Sequence, residues 1–85
     1  GSALNIKIAR EQLSKTDEVS YYLGLGMSLW YTGTEEYIEG RNCPVFVLGT
    51  DHEDHFTKEH YYAVGDNVVY YYDPLGDAWL LLGAG

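Results

Sequence analysis

All three histidines of the chain fall in one stretch, Gly49-Thr50-Asp51-His52-Glu53-Asp54-His55-Phe56-Thr57-Lys58-Glu59-His60, interleaved with Asp51, Glu53, Asp54 and Glu59. Imidazole nitrogens beside carboxylate oxygens are the donor types that hold Zn²⁺ and other divalent ions, and neighbouring carboxylates raise histidine basicity. His52, Asp54, His55 and His60 are therefore the candidate ligand set, and a small metal-dependent hydrolase is one reading of it. The other reading is a polar loop between two strands, with no cofactor at all.

Residues 50 to 55, Thr-Asp-His-Glu-Asp-His after an apolar run, partly resemble the H-x-H-x-D-H motif of metallo-β-lactamase-fold hydrolases, in which histidines and an aspartate bind two metal ions. Only His52, Asp54 and His55 match, and Thr50 stands where that family has its first histidine. An 85-residue chain has no room for the family's two-sheet sandwich, so the resemblance ends at the motif. His60 with Asp73 likewise resembles the histidine and aspartate half of papain-like cysteine peptidases. There the nucleophile opens a long helix, whereas Cys43 precedes Pro44 and the apolar run Val45-Phe46-Val47-Leu48. Cys43 reads as a small buried side chain at a strand start, and one cysteine builds no disulfide scaffold. That fits a reducing compartment, and a cytoplasmic location is expected.

Charge points elsewhere. Thirteen acidic residues against five basic ones give a net charge of −8, spread along the chain rather than gathered in a tail. Direct binding to nucleic-acid phosphates needs Lys and Arg to displace counterions, so it is not expected here. No apolar run is long enough to cross a bilayer. An acidic field does steer a protein toward a basic surface on another protein, such as the nucleic-acid groove of an enzyme, and it also keeps a Tyr-rich chain soluble. Glu35, Glu36 and Glu39 with Tyr37 form one acidic, aromatic candidate patch. Asp51, Glu53 and Asp54 form a second.

The elements that must position these groups follow from periodicity. The run His60 to Leu82 holds Tyr61, Tyr62, Tyr70, Tyr71 and Tyr72, five of the nine tyrosines, and reads as three strands. Gly65-Asp66-Asn67 is hairpin turn chemistry, and Asp73-Pro74-Leu75-Gly76-Asp77 is a second turn. Alternation puts Val68, Tyr70 and Tyr72 on one face and Val69 and Tyr71 on the other; His60, Tyr62 and Val64 oppose Tyr61 and Ala63. Both faces are thus apolar or aromatic, and a face left uncovered is a binding surface built on Tyr61, Tyr70 and Tyr72, with Trp30 or Trp79 adding contact area. The same exposure, or an open sheet edge, would equally serve a homodimer.

Upstream, Ile6, Ala9 and Leu13 have helical spacing over Ala3 to Leu13, with Leu4 and Ile8 as a second row, although Leu4-Ile6-Ile8 also fits a strand. Ser14 is a candidate cap for a second helix running from Thr16 or Asp17 to Tyr31, with Val19, Tyr22, Leu23, Met27 and Trp30 inward and a kink at Gly24 and Gly26. Gly33 ends that helix, Thr34 to Glu39 reads as a short acidic turn or one-turn helix closed by Gly40, and Val45 to Leu48 is the first strand. The expected fold class is α+β: two N-terminal helices packed on a small antiparallel β-meander of three to four strands, forming one domain over residues 3–85. Gly1-Ser2 reads as the remnant of a cleaved tag.

The expected function is that of a non-enzymatic, acidic interaction protein that binds and inhibits a basic surface of a protein partner. Toxin-immunity proteins and phage anti-CRISPR or other anti-defence proteins are compact acidic antagonists of this type. The analogy rests on size, charge and aromatic surface, and the chain carries no motif of any such family.

Overall fold

The computed structural model describes residues 3–82. The reading of Gly1-Ser2 as a tag remnant, and the second row assigned through the Leu4 side chain, lie outside what is described. Two helices, α1 (Ala3–Ser14) and α2 (Asp17–Gly24), precede five strands: β1 (Ser28–Ile38), β2 (Arg41–Asp51), β3 (Phe56–Gly65), β4 (Val68–Asp73) and β5 (Ala78–Leu81). The strands form one antiparallel sheet in sequence order, so the α+β meander is as expected, with one strand more than the sequence reading gave.

The additional strand comes from the segment read as the end of α2. Thr16, not Ser14, caps α2: its hydroxyl accepts from the Val19 N–H at 3.3 Å, with Asp17 and Glu18 in the first turn. Ser14 instead donates back to the Arg10 carbonyl within α1. The helix stops at Gly24 because Gly26 turns left-handed (φ 97°), letting its N–H reach the Leu23 carbonyl and the Met27 N–H reach that of Tyr22. This is the Schellman arrangement, and only glycine adopts that φ without strain. Gly26 is therefore a helix stop rather than a kink, and Met27 to Tyr31 leave the helix to enter β1.

Residues 34 to 39 are not a separate turn either. Thr34 to Ile38 continue β1 past a bulge that opens between Tyr31 and Glu35 at Gly33 (φ 84°). Thr32 spans the break, donating through Oγ1 to the Val45 carbonyl at 2.9 Å and accepting from the Thr34 N–H. Glu39 and Gly40, both with positive φ, close the β1–β2 hairpin, and Asp66 and Asn67 do the same between β3 and β4. The polar loop expected between Gly49 and His60 is mostly strand: β2 runs to Asp51 and β3 starts at Phe56, leaving only His52 to His55 as the turn.

Each sheet face has its own core. On the helix side, Ala9, Leu13 and Val19 pack on Leu29, Phe46, Leu48, Tyr62 and Val64. Arg10 lies over the Phe46 ring, 5.5 Å from its centroid, and donates to the Leu29 carbonyl. On the other side Ile38, Cys43, Val45, Ala63 and Tyr70 form a second cluster, with Tyr61, Val68 and Trp79 against it. Among the described residues no helix covers that face. The sheet covers it by curling: strands about 4.8 Å apart would set β1 and β5 roughly 19 Å apart if flat. Yet the Trp79 indole N–H on β5 reaches Glu36 Oε1 on β1 at 3.4 Å. The two edge strands therefore bend toward each other over this face and make it a trough.

Candidate functional site

The trough is built from strand alternation. Trp30 pairs with Val47, Val47 with Tyr61, and Tyr72 with Trp79; extending the β3–β4 register by one pair sets Tyr61 beside Tyr72. One row thus crosses the whole sheet with a residue from every strand, and four of its five members are aromatic. Trp30 is 53% exposed, while Tyr61, Tyr72 and Trp79 are half-buried. The Tyr72 and Trp79 rings lean together at 5.3 Å between centroids and 58° between planes.

Carboxylates rim these rings. Tyr70, buried at the trough floor, donates its hydroxyl to Glu39 Oε1 at 2.6 Å; Tyr72 donates to Asp77, and the Trp79 N–H to Glu36. Because each phenol already donates to an anion, ionisation is opposed: Tyr70 is held above its ordinary value chiefly by Glu39, and Tyr72 chiefly by Asp77. Arg41 reaches this floor: its Nη1 donates to the Tyr70 hydroxyl at 3.5 Å, and its Nε sits 3.5 Å from the Asp66 carboxylate. From Tyr61 to Leu82 the chain carries no Lys or Arg. Beneath the trough, burial raises the Cys43 thiol above its usual range despite nearby Arg41, leaving it a poor nucleophile.

The structure divides the candidate residues into two groups. Glu36, Glu39, Tyr61, Tyr70 and Tyr72 belong to the trough. Glu35 and Tyr37 pair with Pro44 and Asn42 and so point to the opposite face; Tyr37 is 74% exposed there. Asp51, Glu53 and Asp54 lie at the β2–β3 turn, opposite the end of the sheet that carries Glu39, and Asp51 accepts from Ser28 Oγ there. Trp30 and Trp79 belong to the trough row as fully as the tyrosines do. Trp79 alternates with Leu80 in β5 and was legible as such, whereas Trp30 was hidden by its assignment to a helix.

The histidines do not converge. His52 and His55 stack at the exposed turn, 4.4 Å between centroids, and His55 Nδ1 meets Asp54 Oδ1 at 2.6 Å. His60 turns to the helix side and stacks on Tyr22 at 4.9 Å. Among the described residues no group of three or more His, Cys, Asp or Glu side chains is placed to hold a metal ion. No helix among them is long and apolar enough to cross a membrane. No known protein family, curated protein or solved structure matches this chain.

Proposed function

We propose that this chain is a non-enzymatic interaction protein that docks its acid-rimmed aromatic trough on a basic surface of a protein partner and blocks it. The observation that carries the reading is that three of the five trough aromatics donate a polar group to a carboxylate: Tyr70 to Glu39, Tyr72 to Asp77 and Trp79 to Glu36. Large rings supply contact area, and the carboxylates around them favour a Lys or Arg entering from outside. The net charge of −8 speeds the encounter and repels phosphates. The partner class is a nucleic-acid-processing enzyme or complex in the cytoplasm, whose groove offers the required positive field, with no direct contact to nucleic acid.

The test is affinity capture from lysate at low and high salt, using the unaltered chain and a Glu36→Lys, Asp77→Lys variant, with bound proteins identified by mass spectrometry. A basic nucleic-acid enzyme retained at low salt by the unaltered chain and lost by the variant supports the reading. Capture indifferent to both salt and variant overturns it.

A further inference from the structure

We infer that the partner supplies an extended basic segment that pairs with the free edge of β5 as a sixth strand of the sheet. This rests on the docking reading above and adds how the partner is held.

The sheet has two outer strands, and they differ. β1 is broken by the bulge at Gly33 and carries Glu35 and Glu36, the devices that keep an edge from recruiting other strands. β5, Ala-Trp-Leu-Leu, has no charge, proline or bulge, and Leu80 and Leu81 are 39% and 63% exposed. Its backbone is half used. The Leu82 N–H bonds to the Val69 carbonyl at 2.9 Å, which makes Val69–Leu82 a hydrogen-bonded pair. In an antiparallel ladder such pairs alternate, so Leu80 opposite Tyr71 and Ala78 opposite Asp73 also bond inward. The N–H and C=O groups of Trp79 and Leu81 therefore point away from the sheet, and these are the groups an added strand takes up.

The surroundings specify what the added strand carries. Side chains of Trp79 and Leu81 face the trough, so residues opposite them on a sixth strand extend the aromatic row. Asp77 immediately precedes the strand, Asp73 opens the turn before it, and Glu36 overhangs Trp79; Arg41 on the same face is engaged with Tyr70 and Asp66, and Tyr61 to Leu82 carry no Lys or Arg. A segment alternating cationic and apolar residues fits that edge, its cations meeting the trough. An acidic segment is repelled by it.

The test uses a blocked peptide of alternating lysine and valine, its glutamate counterpart, and a lysine peptide N-methylated on alternate amides, with backbone amide exchange followed by NMR. The expected result is that the lysine peptide slows exchange at the Trp79 and Leu81 amides while Leu80, already bonded to β4, changes little. Leu81→Pro removes an outward N–H that the ladder does not use, so it keeps the fold and loses at least about tenfold in affinity. The N-methylated peptide gives the same loss without altering the protein. Salt-sensitive binding that neither change weakens overturns strand addition and leaves the docking reading standing. No binding of the lysine peptide overturns both. A doubled mass by light scattering that Leu81→Pro abolishes assigns the edge to a second copy and overturns the inference.

Discussion

The Tyr62 hydroxyl donates to Glu18 Oε2 at 2.6 Å, tying the centre of β3 to the first turn of α2. The Tyr62 ring is fully buried on the helix side of the sheet. The hydroxyl thus completes a ring that is otherwise held by packing alone. Tyr62→Phe keeps the packing and removes the hydrogen bond, at a cost of about 1 kcal/mol in urea unfolding. Glu18→Gln in the Tyr62→Phe background costs little more, since the shared contact is already lost.

The same phenol makes stability fall in alkali. Burial, then the Glu18 carboxylate, hold Tyr62 above the ordinary tyrosine value of about 10. Above that pH the unfolded chain releases a proton that the folded chain retains. The contribution is therefore fully present below about pH 10 and is lost as pH rises beyond it. Denaturant midpoints taken through pH 9 to 11, a range set by the ordinary phenol value, fall for the unaltered chain and fall less steeply for Tyr62→Phe. Tyr70 and Tyr72, raised by their carboxylate partners, act with the same sign.

Two glycines are held by close approach. A Cβ on Gly65 would stand 2.6 Å from Cys43 Sγ, and one on Gly49 would stand 2.1 Å from the Thr57 carbonyl oxygen at the β2–β3 bulge. The first obstacle is a side chain and the second is backbone. Gly65→Ala is expected to cost about 1–3 kcal/mol by thermal unfolding, as overpacking of a core does. Gly49→Ala costs more, and the ordering of the two melting temperatures checks the claim.

Cys43 is completely buried, and burial disfavours its thiolate. Ellman's reagent added to the native protein is therefore expected to react only at the rate of chain opening, and added to the denatured protein to react at once. Prompt reaction of the native protein would contradict the second core.

The two acidic groups are separable by mutation. Glu36→Lys or Asp77→Lys weakens a basic partner by about tenfold and flattens the dependence of affinity on salt. Asp54→Lys, exposed on the β2–β3 turn, and Glu11→Lys, exposed on α1, change the long-range attraction without touching the trough. They lower the association rate and leave dissociation unchanged, which surface plasmon resonance separates.

The sequence was most legible where local rules have no rival. Asp66 and Asn67 between Val-rich segments announce a hairpin, and the alternation through Tyr70, Tyr71 and Tyr72 divides them between faces as the structure does. It was least legible between Met27 and Glu39. Met27 and Trp30 continue the helical stripe of α2 by coincidence of spacing, and the Gly-x-Gly that stops the helix is written in the same letters as a kink. The decisive difference is a left-handed φ at Gly26, a backbone property that periodicity does not report. The candidate site divided for a related reason. Glu35 and Glu36 are neighbours in sequence, but in a strand neighbours face opposite ways, so a patch drawn for a turn cannot survive becoming β1. The curl that joins Glu36 to Trp79 depends on contacts between the first and last strands, which no local pattern announces.

The sequence-ordered sheet also bears on how the chain folds. Every strand pairs only with its neighbours along the chain, so each pairing closes a short loop and none waits for a distant partner. All-β folds are slow when their contacts join remote segments, whereas this meander assembles by successive hairpins and sets α1 and α2 on a surface already formed. Pairing in sequence order shortens the interval in which the uncharged β5 edge is exposed beside unfolded neighbours, when aggregation would compete with folding.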